Sequence, residues 1–366
     1  MKIAFMLRNL DEKGGIYIYT TNMIENILKA DKETEYVFLY PKKKFLGLYS
    51  QYPNVKEIVL EVPSKFLWDQ IAVPYILRKE KVDLVYNPKL SIPLFSKSKK
   101  VLMIHGAEQF AVKDSFKWHD RIYVRIAMPL YCKFADKIIT TTQMGISDLS
   151  GYLRVDKSKF VFVHEGVNKR FQVLDQNTLL SVKKKYDLPD NYILFIGGLS
   201  PLKNFGRVVL AFDAISKTVP HKLVVVGFKR HKFKSDLILA EKLIGEDKIR
   251  FIGFLPDDDL PALYNMAELL IFPSLYEGFG LPVLEAMACG CPIVTSKAGC
   301  TREVTQDAAV LVDPYNVREI ADSMIKVVTD RNLKRMLIEK GKKRVGQFCW
   351  EKCAAGTLEI FRSILN

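Results

Sequence analysis

Cysteine and long apolar runs are both scarce in this sequence of 366 residues. Its six cysteines are too few to form a disulfide scaffold in a chain of this length. The cysteine pairs at 289/291 and 349/353 have no His or Cys partners at the spacing of a zinc site. No apolar stretch approaches the roughly 18 residues of a membrane span, and the apolar run at 3–7 is too short for a secretion signal. We therefore expect a cytoplasmic protein that binds no metal.

Negative charge is also in short supply. The sequence has 55 Lys and Arg against 41 Asp and Glu, a net charge of +14, which favours a polyanion, an anionic membrane or a phosphorylated ligand as partner. Residues 1–165 carry 26 basic and 18 acidic side chains, and residues 166–366 carry 29 and 23. Because the surplus is shared by both halves, a separate basic arm for nucleic acid is disfavoured, and we predict no nucleic-acid partner.

Short apolar strands alternate with helical stretches in two successive series. The first series opens with a strand, the pair Gly14-Gly15 and a helix, and the second restarts after the polar, lysine-rich segment 168–190. Strands that are near-continuously apolar and separated by helices are typical of a parallel sheet with helices on both faces. The predicted strands are 3–7, 36–40, 82–86, 100–104, 137–141 and 160–163, then 192–196, 222–226, 249–252, 269–272 and 292–295. The fold class is therefore predicted to be α/β, with two doubly wound Rossmann-like domains facing a cleft.

The segment 272–287 is the part of the sequence most indicative of chemistry. A strand is followed by a glycine loop and by a helix with Pro282 near its first position. The loop 278–281 offers backbone N–H groups to an anion at the start of the helix, and Glu277 and Glu285 bracket it, Glu285 in the predicted first helical turn. Carboxylates accept hydrogen bonds from hydroxyls, so this arrangement predicts a ligand that combines a diphosphate with sugar rings. The alternative is that Glu285 only complements the helix dipole while Glu277 is solvated.

A second glycine loop follows the predicted strand 192–196. Gly197-Gly198 leads to Lys203 and Asn204 and then to a helix. The lysine ammonium group is a compact charge suited to phosphate. Since the carboxyl ends of parallel strands lie at one edge of a sheet, we expect Lys203 near the two glutamates.

Together these motifs resemble the retaining GT-B glycosyltransferases of family 4, the glycosyl transferases group 1. The resemblance covers nearly the whole chain and is densest over about 190–315. It rests on Lys203-Asn204, on Phe251-Ile252-Gly253-Phe254-Leu255, on the Glu277 to Glu285 segment, on Ala288-Cys289-Gly290-Cys291-Pro292, and on Gly14-Gly15 and His105.

The resemblance implies the domain organisation and the activity. An acceptor-side domain would span 1–170 and be completed by a C-terminal helix at 350–366, and a donor-binding domain would span 171–349. The activity would be retaining transfer of a hexose from a UDP- or GDP-sugar to a hydroxyl of a glycan, lipid-linked or small-molecule acceptor, in cell-surface polysaccharide or glycolipid biosynthesis. No metal and no cofactor beyond the nucleotide-sugar co-substrate would be needed. A nucleotide-sugar epimerase of the same fold and, more distantly, a basic nucleic-acid-binding protein are the alternatives.

The resemblance also implies roles for single residues. Glu277 would hold hydroxyls of the transferred sugar, Glu285 would hold the ribose hydroxyls, and Lys203 would neutralise the diphosphate. His105 would sit above the reacting centre, so His105 and Glu277 are the predicted catalytic residues. The predicted donor-binding residues are Gly14, Gly15, Lys203, Gly278, Phe279, Gly280, Leu281 and Glu285.

Two positions depart from the family's pattern. Gly198 stands where the family usually has Arg, and Arg207 or the basic run 229–234 are the candidate substitutes. Gly106 follows His105 where an acid is usual, and Glu108 is a candidate replacement for that acid.

A basic ridge is predicted on a helix near residue 120. Lys113, Lys117, Arg121 and Arg125 recur every four residues, so they share one helix face. The ridge is interpreted either as a solvated face or as peripheral docking on the anionic inner face of a membrane, worth about 1 kcal/mol per basic residue.

Two further groups are expected to have only structural roles. The acidic run 257–259 precedes a predicted helix, so we expect it to cap the helix rather than to bind a metal. The tryptophans at 68, 118 and 350 are expected to pack in the interior.

Overall fold

The computed structural model describes residues 1–11, 14–112, 115–116, 118–227, 238–240, 242 and 248–366. The chain folds into two units. The first contains Met1–Phe110, Lys117–Gly166 and Cys349–Asn366, and the second contains Ala111–Phe116 and Val167–Phe348. The chain therefore leaves the first unit after Gly166 and returns to it at Cys349.

The described part of the first unit contains a seven-stranded parallel sheet in the order β3-β2-β1-β4-β5-β6-β7. Its central strands are apolar and buried, as expected for a sheet covered on both faces. The strands are β1 (Lys2–Met6), β2 (Glu35–Tyr40), β3 (Val55–Val59), β4 (Leu84–Asn87), β5 (Lys99–Met103), β6 (Lys137–Thr140) and β7 (Phe160–Phe162). The helices along this part are α1 (Gly15–Ala30), α2 (Lys65–Leu67), α3 (Val73–Lys79), α4 (Glu108–Ala111), α5 (Trp118–Phe134) and α6 (Gln143–Leu153).

The described part of the second unit contains a six-stranded parallel sheet in the order β10-β9-β8-β11-β12-β13. Its strands are β8 (Tyr192–Ile196), β9 (Lys222–Val226), β10 (Ile249–Gly253), β11 (Leu269–Phe272), β12 (Ile293–Ser296) and β13 (Val310–Val312). Its helices include α7 (Gln176–Tyr186), α8 (Phe205–Ile215), α9 (Leu260–Met266), α10 (Leu281–Ala288), α11 (Thr301–Thr305), α12 (Val317–Thr329) and α13 (Arg331–Val345). Fully buried Phe195, Phe205, Phe212 and Met324 belong to its core, and each such side chain stabilises the fold by about 1.5–3 kcal/mol.

The last helix, α14 (Trp350–Leu365), belongs to the first unit. It packs against α1, and its Phe361 ring lies 6.1 Å from that of Phe5 and 5.2 Å from that of Tyr86. The apolar stripe of an amphipathic helix thus covers one face of the first sheet.

The α/β prediction with two parallel sheets is confirmed. The predicted bounds of β8, β9 and β11 are those observed, but β3 and β13 were missed. Both are edge strands whose residues are mostly half-buried, so their sequences lack the continuous apolar character used to find the central strands. No helix among the described residues has the length and apolar character needed to cross a membrane.

Candidate functional site

The loops after β8 and β11 lie side by side at the carboxyl edge of the second sheet. The two strands are paired in parallel, and the Leu275 N–H donates to the Leu202 carbonyl over 2.8 Å. Adjacent parallel strands bring the segments that follow them to the same edge. This pairing places the Lys203 loop against the Glu277 loop.

Lys203 and Glu277 form an ion pair. The Lys203 Nζ lies 2.6 Å from the Glu277 Oε1, and the two side chains are 21% and 12% exposed. The ammonium group also lies 4.8 Å from the centroid of the Phe272 ring. The prediction that Lys203 lies near Glu277 is therefore confirmed by the geometry.

Asn204 ties the Lys203 loop to two other loops. Its backbone is left-handed, with φ of 60°, a conformation that Asn tolerates better than most residues. Its side-chain amide donates to the carbonyls of Pro273 (3.0 Å) and Pro314 (2.6 Å), and the Arg207 guanidinium donates to its Oδ1 over 2.9 Å. Arg207 thus stands beside the loop in which Gly198 replaces the usual arginine. The other candidate substitute, the run 229–234, lies outside the described residues.

Glu285 is buried within α10, with 7% of its surface exposed. The helix begins at Leu281, so Glu285 is its fifth residue and the prediction that it lies in the first turn is wrong. The Tyr264 hydroxyl donates to Glu285 Oε2 over 2.7 Å. Burial raises the pKa of Glu285 to about 7, against the lowering effect of the Tyr264 hydrogen bond. A buried carboxyl group beyond the first turn does not fit the alternative that it only complements the helix dipole.

A third loop supports the backbone of Glu277. Gly299, after β12, has φ of 69°, and a Cβ there would lie 3.1 Å from the Glu277 nitrogen. The next residue's N–H, that of Cys300, donates to the Glu277 carbonyl over 3.3 Å. This close approach requires glycine. No sequence motif pointed to this contact.

The remaining loop residues surround the start of α10. Gly278 is half-buried and Phe279 is buried, and the Phe279 ring lies 5.9 Å from that of Phe348. Gly280 is the N-cap residue and Leu281 the first residue of the helix. The backbone of these residues therefore lies where an anion would meet the amino-terminal end of α10.

His105 lies in the first unit, two residues after β5. Its Nδ1 is 3.1 Å from Glu165 Oε1 and its Nε2 is 3.0 Å from the Pro88 carbonyl oxygen, and the Tyr19 ring packs edge-on against the imidazole at 4.8 Å. Sequence reasoning pointed to Glu108 and missed Glu165. The signal was present, because Glu165 follows the last strand of the first series closely and so lies at the same sheet edge as His105.

A small cavity of about 30 Å³ opens beside His105. Its walls include the side chains of Ile16, Lys89 and Phe110. A cation, a histidine and apolar groups thus share a space at the carboxyl edge of the first sheet.

The Gly14-Gly15 pair begins α1. Gly14 is the N-cap residue with φ of 139°, and Gly15 is the first residue of the helix. The conformation that favours glycine is therefore at Gly14. His105 and the glycine pair belong to the first unit and Glu277 to the second, so their action in one reaction stays a prediction.

Two structural expectations are wrong. Asp259 occupies the N-cap position of α9 but makes no capping hydrogen bond. Its carboxylate instead accepts hydrogen bonds from the Lys185 ammonium group and the Tyr186 hydroxyl. Trp118 is 71% exposed rather than packed in the interior, because it begins an apolar row on the outer face of α5. Within the described residues, no group of three or more His, Cys, Asp or Glu side chains is arranged to hold a metal ion.

Two solved structures share this fold over nearly the whole chain. HepE of Anabaena, solved with UDP-glucose, is 18% identical and aligns with a TM-score of 0.80 over 99% of this chain and 100% of that chain. WaaG, a glycosyltransferase involved in lipopolysaccharide biosynthesis, is 18% identical and aligns with a TM-score of 0.74 over 98% and 99% of the two chains. The protein therefore has the GT-B fold, as predicted.

Proteins with similar sequences relate the chain to a particular group of glycosyltransferases. Residues 177–344 match the family model of glycosyl transferases group 1. O-antigen chain mannosyltransferase B of Escherichia coli is 27% identical over 294 residues, which are 79% of this chain and 76% of the relative. The serotype-specific mannosyltransferase WbdA of Escherichia coli is 32% identical over 238 residues, or 63% of this chain, but this chain spans only 29% of WbdA. The chain is a glycosyltransferase, and its second unit carries the glycosyl transferases group 1 domain.

Proposed function

We propose that this enzyme transfers a hexose from a nucleoside-diphosphate sugar to a hydroxyl group, with retention of anomeric configuration and without a metal ion. The observation that carries the proposal is the Lys203–Glu277 pair beside the start of α10, with buried Glu285 on the same helix. A cation suits the diphosphate, and carboxyl groups suit the hydroxyls of the two sugar rings.

Binding of the donor would separate Lys203 from Glu277. The diphosphate then binds the ammonium group of Lys203, and sugar hydroxyls donate hydrogen bonds to the carboxylate of Glu277. Each charged group therefore keeps a polar partner. As the bond to the anomeric carbon breaks, negative charge develops on the leaving phosphate, and Lys203 and the α10 backbone amides stabilise it. The acceptor hydroxyl attacks from the same face and its proton passes to the leaving phosphate.

Mannose is the proposed hexose. The two Escherichia coli relatives are named as mannosyltransferases, and one of them is named for the O-antigen chain. A growing glycan or a lipid-linked saccharide in cell-surface polysaccharide biosynthesis is accordingly the proposed acceptor. Comparison of GDP-sugars with UDP-sugars determines whether the base of the donor is guanine or uracil.

The experiment is a panel of GDP- and UDP-sugars, with GDP-mannose first, assayed for nucleoside diphosphate release with and without a saccharide acceptor. Acceptor-dependent release supports transfer, whereas conversion of the donor without acceptor indicates an epimerase. Glu277→Gln is expected to abolish turnover nearly completely. The matched control is Glu268→Gln, because the Glu268–Lys334 ion pair lies in the same unit but outside the three loops.

We also propose that the enzyme docks on an anionic membrane through α5. Arg121 and Arg125 of the basic ridge lie on this helix, whereas Lys113 and Lys117 lie outside the described residues. An apolar row with spacing of four residues accompanies them, and all its side chains are exposed: Trp118, Ile122, Ile126, Leu130 and Phe134. A helix with exposed apolar side chains flanked by cations is suited to the bilayer interface.

Vesicle binding tests the docking surface. Vesicles containing phosphatidylglycerol are expected to bind the enzyme, and binding should weaken with salt and in neutral phosphatidylcholine vesicles. The double variant Ile122→Ser, Ile126→Ser should lose most binding, while Leu180→Ser, which changes an exposed apolar residue of the second unit, should not. Binding that ignores lipid charge, or a stable dimer through α5 in sedimentation, would contradict the proposal.

A further inference from the structure

The two hydrogen bonds of the His105 ring show whether its contact with Glu165 contains a hydrogen atom. A backbone carbonyl only accepts, so the bond to Pro88 requires a hydrogen on Nε2. In a neutral ring Nδ1 would then be an acceptor, which cannot bond to an ionised carboxylate. The 3.1 Å contact between Nδ1 and Glu165 Oε1 therefore contains a proton of its own, as in an imidazolium–carboxylate pair.

We propose that Glu165 is a positioning residue that holds His105 as a fixed, doubly hydrogen-bonded cation and prevents it from acting as a general base. This inference rests on the proposed function, in which His105 acts near the reacting centre. Because neither ring nitrogen of His105 then has a free lone pair, the proton of the attacking hydroxyl group passes to the leaving phosphate instead. The positive charge and orientation of the ring are then its contribution.

The surroundings of Glu165 support the pairing. The residue is only 4% exposed, and a buried carboxylate is expensive unless a cation or several donors compensate it. Tyr19, Tyr86 and Cys353 also face it. Burial is the main reason that the pKa values of these three groups are raised, and the charge of Glu165 raises them further. All three therefore stay neutral, and His105 is the basic group in contact with Glu165.

The backbone next to Glu165 is fixed by a close contact within the first unit. A Cβ on Gly166 would lie 2.3 Å from the Trp350 nitrogen, so the chain can approach only because residue 166 is glycine. The Trp350 indole in turn lies 6.1 Å from the ring of Tyr19, which packs on His105. The contact at Gly166 thus fixes the backbone next to Glu165, while the packing of Trp350 on Tyr19 supports the His105 ring.

Three variants separate charge from geometry. Glu165→Gln keeps the ring in place, because the new amide donates to a neutral Nδ1, but removes the charge. Glu165→Ala removes both the hydrogen bond to Nδ1 and the negative charge, and Glu165→Asp keeps a negative charge at this position. We expect Glu165→Ala to lower kcat by about 10- to 100-fold, because the ring loses its orientation as well as its charge. Glu165→Gln should lower kcat by a smaller factor, because only the charge is lost, with donor KM nearly unchanged in both variants and partial rescue by Glu165→Asp.

The ¹⁵N signals of the His105 ring give a readout that does not depend on activity. Both ring nitrogens should carry a hydrogen in the wild type and only one in Glu165→Gln, with His105→Asn used to assign the signals. Glu57→Gln, which alters a carboxyl group bonded to Tyr40 elsewhere in the first unit, should leave kcat and the ring signals unchanged. Wild-type kcat and ring signals in Glu165→Gln would overturn the proposal. Absence of turnover in the wild type would instead contradict the proposed function, while the ring signals would still test Glu165.

Discussion

Lys203 Nζ and Glu277 Oε1 are 2.6 Å apart. Two groups proposed to hold different parts of one ligand therefore neutralise each other's charge. Removing one partner of a partly buried ion pair leaves the other charge uncompensated, so the pair balances the charge of the two loops. Under the proposed function, donor binding separates Lys203 from Glu277 and gives each of them a new partner.

The first prediction separates these two halves. Glu277→Gln frees Lys203 from its competitor, so the nucleoside diphosphate alone should bind a few-fold more tightly than to the wild type, while turnover of the sugar donor is nearly lost. Lys203→Ala should weaken nucleoside diphosphate binding instead. Isothermal titration calorimetry measures both. Equal weakening by the two variants, or unchanged affinity in both, would show that the pair does not lie at the diphosphate site.

The second prediction concerns the pH dependence of donor binding. The pKa of Glu285 is raised to about 7, mainly by burial, so its carboxyl group is largely protonated at pH 6 and ionised at pH 8. The ionised form accepts more hydrogen bonds from ribose hydroxyls, and one such bond is worth about 0.5–1.5 kcal/mol. We expect donor affinity to rise by about 3- to 10-fold from pH 6 to pH 8. Glu285→Gln should abolish this dependence, and a dependence that persists in that variant would assign it elsewhere.

The third prediction follows from the same shift. Between the usual value of 4.5 and the folded value of about 7, the folded protein binds more protons than the unfolded chain. The free energy of unfolding therefore falls as pH rises through this window. Glu285→Gln should accordingly be more stable than the wild type at pH 8, by up to about 3 kcal/mol, with little difference near pH 4.5. Urea unfolding at the two pH values measures this, and a variant less stable than the wild type at pH 8 would contradict it.

The fourth prediction concerns the support of Glu277. Gly299→Ala places a Cβ 3.1 Å from the Glu277 nitrogen on a backbone with φ of 69°, which strains the chain by about 1 kcal/mol or more. We expect kcat to fall at least 10-fold as Glu277 shifts. Gly346→Ala is the matched control, because its Cβ would meet a neighbour only at 3.6 Å. Wild-type activity in Gly299→Ala would show that this contact does not position Glu277.

The fifth prediction concerns the contact behind Glu165. In Gly166→Ala the added Cβ would lie 2.3 Å from the Trp350 nitrogen, so the backbone must move and carry Glu165 away from His105. We expect lower kcat together with a lower midpoint of thermal unfolding. Gly356→Ala meets Val163 at an ordinary 3.5 Å and should change neither quantity. Unaltered ring signals of His105 in Gly166→Ala would contradict the account.

The sequence predicted those site residues whose position depends on where strands end. Lys203 and Glu277 each follow a central apolar strand, and parallel pairing alone brings them together. Glu285 was misplaced because its helix begins at Leu281, and helix ends are set by loop geometry that composition does not reveal. Tyr264 was missed because its contact with Glu285 depends on tertiary packing between α9 and α10. Trp118 was expected inside because aromatic residues usually pack, whereas this one belongs to an exposed row.

The measurement that tests the central claim most directly is acceptor-dependent release of nucleoside diphosphate from GDP- and UDP-sugars, followed by determination of the anomeric configuration of the product. The account predicts release only when a saccharide acceptor is present, an anomeric configuration equal to that of the donor, and loss of both in Glu277→Gln but not in Glu268→Gln. Release from no nucleotide sugar, an inverted product, or an active Glu277→Gln enzyme would contradict it.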